Sequence, residues 1–195
     1  MTIAYKCEVE SYGYNMVDNS EIRHHISAVS HFLSENDKHF GLILLGPVGG
    51  GKTTIVRAMQ NFVCKLAENN DELIGIDRNH YSTGTKVKIE MIEATEVANI
   101  LKRSEKEFNE LCNMPILAID DLGVEPTDVM SYGNIISPLS RLLEKRYEAR
   151  LFTIITSNLA PQDITRKYGA RIGDRLSEYC KIDFSNDKSY RRYAK

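Results

Sequence analysis

Apolar positions along the chain fall into two kinds of run, and the two kinds alternate. Leu42-Ile43-Leu44-Leu45 and Ile116-Leu117-Ala118-Ile119 are apolar throughout, and Leu151–Thr156 is nearly so. Short unbroken runs of this kind predict strands covered on both faces. Other segments repeat apolar residues every three or four positions, as an amphipathic helix does. Ile22, Ile26, Val29 and Leu33 do so after Ser20, a capping residue, and the cluster Glu35-Asn36-Asp37 ends that helix. Ile55, Met59, Phe62, Val63 and Leu66 form a second stripe. Val97, Ile100 and Leu101, with Thr95 as cap, form a third, and Ile135, Leu139, Leu142 and Leu143 a fourth. Lys86–Met91 alternates charged and apolar residues and reads as a strand. Pro161 suits the first turn of a further helix, and Ile182 with Phe184 predicts a last strand. Residues 1–19 show neither period. Residues 69–84 are mostly polar and carry Gly75 and Gly84, so they read as a loop with room for a short strand.

Strands alternating with helices predict an α/β fold with a central parallel sheet between two helical layers. The expected division is a short N-terminal segment, 1–40, with one helix, followed by a core over 41–195. Composition adds little to this. Hydrophobic residues make up 42% of the 195 and charged residues 27%, which supports a packed core. The net charge of −2 restricts any nucleic-acid contact to a local patch. Cys7, Cys64, Cys112 and Cys180 are widely spaced and form no metal-binding pair, the usage of free thiols in a reducing compartment. The start MTIAYKCEVE lacks a secretory pattern, and no run reaches the ~20 apolar residues of a membrane span. These features predict a cytoplasmic protein with no membrane association.

The chemistry begins after the first apolar strand. Gly46-Pro47-Val48-Gly49-Gly50-Gly51-Lys52-Thr53 fits G-x-x-x-x-G-K-[ST] at every specified position. Glycines let the backbone curl so that its N–H groups face phosphate oxygens. The helix opening at Lys52 adds its positive end. Lys52 is expected to reach the β- and γ-phosphates and the Thr53 hydroxyl to bind Mg²⁺; Thr54 closes the motif. The bland alternative, a flexible glycine turn, does not account for the strand before the motif and the helix after it.

Asp120 and Asp121 end the strand Ile116–Ile119. Asp120 is the candidate metal support and Asp121 the candidate general base for water attack. The competing role for such a pair is a helix cap. Asn158 ends the next apolar strand and is a candidate sensor of the γ-phosphate, with an ordinary turn asparagine as the alternative. The strand-helix unit between the phosphate loop and the acidic pair leaves room for a strand inserted between the two motif strands.

Over residues 40–195, the segments GPVGGGKTT, ILAIDDLG, TIITSN and YGARIGDRLSE resemble the AAA+ ATPases of the DnaC/IstB type, a group of helicase loaders and transposase helpers. The resemblance implies an ASCE P-loop NTPase that binds and hydrolyses Mg-ATP. It makes Gly46–Thr53 the Walker A loop, Asp120 and Asp121 the Walker B acids and Asn158 the sensor 1 residue. Arg175 matches the arginine finger, with Arg171 as the alternative, and Arg191 matches sensor 2. A finger acts on a neighbour's nucleotide, so an ATP-dependent homo-oligomer is implied. A replicative helicase or another DNA-bound protein is the implied partner. Two features depart from the pattern: many AAA+ proteins carry glutamate where Asp121 stands, although the DnaC/IstB type often has Asp-Asp, and the segment ahead of the core is short. A nucleotide-dependent interaction switch with little hydrolysis, or a small-molecule kinase, are the competing functions.

Arg141, Lys145, Arg146 and Arg150 share one predicted helix, and Lys181, Lys188, Arg191, Arg192 and Lys195 enrich the tail. Either group is a candidate contact for single-stranded DNA, with Tyr190 and Tyr193 available to stack on bases. The competing reading is a solvated basic face. His24 and His31 share a helix face without a third ligand, which argues against a metal there.

Overall fold

The computed structural model describes residues 1–34, 39–70, 74–76, 82–126, 129–131, 134–184 and 190. In chain order the elements begin with α1 (Thr2–Ser11), α2 (Ser20–Ser34), β1 (Gly41–Leu45) and α3 (Lys52–Glu68). Then come β2 (Ile74–Ile76), β3 (Ser82–Lys86), β4 (Glu90–Glu93), α4 (Ala94–Arg103), α5 (Glu105–Asn113) and β5 (Ile116–Leu122). The remainder is β6 (Val129–Ser131), β7 (Asn134–Ile136), α6 (Pro138–Glu148), β8 (Phe152–Ser157), α7 (Pro161–Tyr168), α8 (Ala170–Ser177) and β9 (Cys180–Asp183).

The central sheet has the order β4-β5-β8-β1-β9, and every pairing in it is parallel. Side chains alternate across it, as strand geometry requires. Leu42 and Leu44 face one layer, with Ile22, Ile26 and Val29 of α2 and Ile55, Val56 and Met59 of α3. Ile43 and Leu45 face the other, built by α4, α5, α6, α7 and α8. This three-layer α/β sandwich is the P-loop fold expected from the alternation of runs. Hydrophobic burial on both faces explains why the strand runs are almost wholly apolar; the exceptions on β8, Thr153 and Thr156, are buried with their hydroxyls hydrogen-bonded.

A strand does lie between the two motif strands, but β8 supplies it. The unit that precedes β5 in sequence, β4, sits outside β5 at the sheet edge. Several local expectations shift. Residues 1–40 hold two helices rather than one, because α1 forms where no period is visible. It buries only Tyr5 and Glu8, so it carries almost no stripe. The fourth strand is Glu90–Glu93, and Lys86 closes β3 instead. Helix α4 starts at Ala94 with Glu93 as N-cap, so Thr95 lies inside the first turn and caps nothing. Ile135 belongs to β7, paired with Met130, and α6 begins only at Pro138. Helix α5 was not expected; the Ser104 hydroxyl accepts from the Glu107 N–H and starts it. On α3, Leu66 faces solvent while Val56 and Ala58 are buried, so its buried face is rotated from the expected stripe. Among the described residues, no helix is long and apolar enough to cross a membrane.

Candidate functional site

The carboxyl ends of β1, β5 and β8 converge, and each delivers one motif. β1 runs into the phosphate loop, where Gly46 has φ 145° and a Cβ there would lie 2.6 Å from the Phe184 carbonyl carbon. Only glycine fits so close to a neighbouring backbone at that φ. The Gly46 N–H donates to Ser157 O (3.2 Å), which ties the loop to β8. Lys52, the first residue of α3, is buried at 4% exposure. Its Nζ donates to Gly46 O (2.7 Å), Pro47 O (2.8 Å) and Asn158 Oδ1 (2.8 Å). All three ammonium donors are thereby used. The Gly50 N–H closes the loop onto Pro47 O (3.4 Å), and the Tyr190 N–H donates to Gly49 O (3.1 Å).

β5 delivers the acids through an irregularity. Ile119 pairs with Ile155 and Leu122 with Ser157, so three steps on β5 match two on β8. The extra residue is a bulge, and bulges re-aim side chains. Asp121 takes φ 54°, a left-handed conformation that aspartate tolerates better than most residues. Its N–H donates to Thr156 Oγ1 (2.9 Å). Asp120, buried, accepts from the Thr53 hydroxyl (3.0 Å) and from the Thr156 hydroxyl. Asn158 Nδ2 donates to Asp121 Oδ1 (3.3 Å). Asn158 thus bridges Lys52 to Asp121.

The site therefore brings together Gly46, Pro47, Lys52, Thr53, Asp120, Asp121 and Asn158. Val48, Gly49, Gly51, Thr53 and Thr54 line a cavity of about 480 Å³ with Lys52, Asp121 and Asn158. The opposite wall was not foreseen. Tyr5, Val9, Tyr12, Tyr14, Val17 and Ile22, from α1, α2 and the link between them, complete the cavity. The tyrosines of this unperiodic segment were its only visible signal. Glu8 accepting from Asn61 (2.8 Å) and Arg57 donating to the Tyr12 hydroxyl fasten α1 to α3.

The arrangement fits a nucleotide with a magnesium ion. Thr53 Oγ1 and Asp120 offer one hydroxyl and one carboxylate 3.0 Å apart. Mg²⁺ prefers such a sparse set of hard oxygens, leaving positions for water and phosphate.

Arg171 and Arg175 do not reach this cavity. Arg175, with its side chain 14% exposed, pairs with Glu148 (3.1 Å) and stacks over Tyr147 (4.7 Å). Arg171 pairs with Glu144 (3.3 Å). Arg191 lies outside the described residues, as do Lys188, Arg192 and Lys195. The expected basic face on α6 is not one surface. Arg141 pairs with Glu105 (2.7 Å), Lys145 donates to Asn109 Oδ1 (2.7 Å), and Arg150 stacks over Phe40. Arg146 is wholly buried and donates to Met114 O (2.7 Å), Phe152 O (2.7 Å) and Thr153 Oγ1 (3.0 Å). Burial lowers its pKa to about 10. A helix-periodic charge cluster gave no sign that one member pointed inward. Among the described residues no group of three His, Cys, Asp or Glu side chains is arranged for a metal.

Fold and site together define an ATP-binding P-loop protein of the AAA+ type. The chain belongs to the family of IstB-like ATP binding proteins, whose description matches residues 2–195. No curated protein matches the sequence. Among solved structures the chain is similar to DnaI (24% identity, 89% of this chain and 86% of that one, TM-score 0.60). It is similar to the DnaC helicase loader (18% identity, 86% and 92% covered, TM-score 0.61). It also resembles AMPPCP-bound DnaA from Aquifex aeolicus (18% identity, 91% and 50% covered, TM-score 0.60).

Proposed function

We propose that this protein hydrolyses Mg-ATP and uses the cycle to act on a DNA-bound protein machine, as a loader-like accessory of a replicative helicase or a transposase. The observation that carries the reading is the hydrogen-bonded chain Lys52–Asn158–Asp121, set beside the Thr53–Asp120 pair. It supports a site where phosphate, metal and water meet. Loop amides and the N-terminus of α3 hold the phosphates. Lys52 exchanges the carbonyls of Gly46 and Pro47 for phosphate oxygens. Thr53 and Asp120 hold magnesium, which when bound neutralises phosphate charge. Asp121 accepts a proton from the attacking water, and Asn158 fixes the spacing between that carboxylate and the ammonium. The apolar wall from Tyr5 to Ile22 takes the base. In this reading 41–195 is the ATPase core, and 1–40 closes the base side of the site. Arg175 or Arg171 serves a neighbouring subunit's nucleotide, and Arg191 is the proposed sensor 2.

The DnaC helicase loader, and a similar structure described as the replication initiator DnaA bound to AMPPCP and single-stranded DNA, favour a replication partner and single-stranded DNA as stimulus. A second reading, a nucleotide-dependent switch with little hydrolysis, is favoured by aspartate at 121, one methylene shorter than glutamate.

The test is ATP turnover with and without single-stranded DNA, alongside mass in solution with a non-hydrolysable ATP analogue. Turnover stimulated by DNA, together with assembly on the analogue, is the expected result. Tight ATP binding with assembly and no turnover selects the switch. A fixed monomer that phosphorylates an added metabolite refutes both.

A further inference from the structure

Beyond the motif residues, one buried acidic node touches the turn that carries Asp121. Glu125 is 2% exposed. Its Oε2 accepts from the Gly123 N–H (3.0 Å), and its Oε1 accepts from the Tyr168 hydroxyl. Lys167 Nζ lies 3.6 Å from Oε1. The same ammonium donates to Gly123 O (2.6 Å) and Glu125 O (2.6 Å). The peptide groups flanking Gly123 are thus gripped through both the N–H and the carbonyl. Gly123 itself has φ 111°, and a Cβ there would fall 2.5 Å from the Leu159 side chain, next to Asn158. The Val124 N–H closes the turn on Asp121 O (3.3 Å).

Three things meet at this node. The turn sets the backbone of Asp121. Leu159 follows directly on Asn158. Lys167 and Tyr168 end α7, and Gly169 alone separates them from α8, which carries Arg171 and Arg175. A charged pair with its carboxylate buried and its ammonium only partly exposed is a poor choice for stability alone, since apolar packing of similar volume does as well or better. What it supplies is orientation, because a carboxylate and an ammonium fix several backbone groups at once.

We propose that Glu125 is a positioning residue for ATP hydrolysis: through Gly123 it holds Asp121 in its left-handed conformation, and through Lys167 and Tyr168 it couples that turn to the helix bearing the candidate fingers. The proposal rests on the ATPase reading. In Glu125→Gln the charge facing Lys167 is removed at constant size, and the amide nitrogen must either displace the Gly123 N–H or reverse the Tyr168 hydrogen bond, so the hold on the turn is weakened. Lys167→Met keeps the aliphatic stem and removes both carbonyl contacts.

The experiment measures turnover per bound nucleotide and equilibrium affinity for Mg-ATP on both full-length variants, well below their melting temperatures. Misplacement by about 1 Å costs catalysis on the order of 100-fold, so kcat should fall about 10- to 100-fold while Kd for Mg-ATP changes less than about threefold. A purely structural role would instead lower the melting temperature and the active fraction, with kcat per folded molecule intact. Wild-type kcat in both folded variants overturns the proposal. If Glu125→Gln does not fold, Lys167→Met decides alone, and unchanged kcat there overturns it. A wild-type chain that does not turn over ATP removes the ATPase reading and this proposal with it.

Discussion

Asn158→Ala is the most informative single change, because one side chain bridges the two halves of the site. Its Oδ1 is one of three acceptors around the Lys52 ammonium, at 2.8 Å, and its amide reaches Asp121 at 3.3 Å. A hydrogen bond to a charged group contributes about 1.5–3 kcal/mol when its loss leaves the partner unpaired. Here the loss is softened. Gly46 O and Pro47 O keep their bonds, and Asn158 is exposed, so water reaches the third donor. The 3.3 Å contact is at the long end for a hydrogen bond and adds little. The free protein should therefore lose only about 1 kcal/mol, a melting shift of about 2–4 °C for a domain of this size.

Turnover should suffer more. Once Lys52 moves to phosphate, Asn158 alone sets the distance between ammonium and carboxylate. Removing one preorganised polar group costs about 2–3 kcal/mol in the transition state, roughly a 30- to 150-fold loss of rate. ATP affinity should change less than about threefold, since the loop amides and Lys52 remain. Single-turnover hydrolysis at saturating Mg-ATP, an equilibrium titration with a fluorescent analogue and thermal denaturation separate the three quantities. Wild-type turnover in Asn158→Ala refutes the reasoning. So does a rate loss wholly explained by weaker binding, because the side chain would then be a ligand contact and not a spacer.

Three further outcomes are expected. Lys52→Ala should weaken Mg-ATP binding by about 100-fold, measured by titration, because the ammonium is the only cation lining the cavity among the described residues. Arg175→Ala should lower turnover of the assembled protein by two or more orders of magnitude with monomer affinity unchanged, whereas Glu148→Ala, which breaks the 3.1 Å pair holding that arginine, should not lower it. Normal assembled turnover in Arg175→Ala would leave Arg175 as a tie between α8 and α6. Arg146→Met should destabilise the chain by about 2 kcal/mol in urea denaturation: two short carbonyl bonds are orphaned at about 1–3 kcal/mol each, offset by relief of the burial that brings its pKa to about 10. An unchanged midpoint would show that the guanidinium's burial cost cancels its bonds.

The phosphate loop was legible because its chemistry is contiguous: the strand before it, the glycines and the helix after it are consecutive residues. Asp120, Asp121 and Asn158 were legible for a related reason, since apolar runs announce strand ends. The bulge that turns Asp121 was not, because it exists only in the pairing of β5 with β8. The cavity wall opposite the phosphate loop was hidden for a different reason. Helix α1 buries just Tyr5 and Glu8, so its fit against α3 leaves no period to read.

The charged residues follow the same division. An isolated sequence assigns a lysine, arginine or glutamate to the surface, since unpaired charges are not buried. Arg146 and Glu125 escape that rule because their partners arrive from elsewhere. Met114 O meets Arg146 from 32 positions upstream, and Tyr168 meets Glu125 from 43 positions downstream. Glu125 sits only a few residues beyond the acidic pair, yet nothing in its local sequence shows its burial. Its burial is conferred by α7, and α7 is also what links it to Arg171 and Arg175. The residues most open to misreading are thus those whose role is to join distant segments: Arg146 does so at the amino-terminal ends of β5 and β8, and Glu125 at the opposite end of the sheet, beside the turn of Asp121.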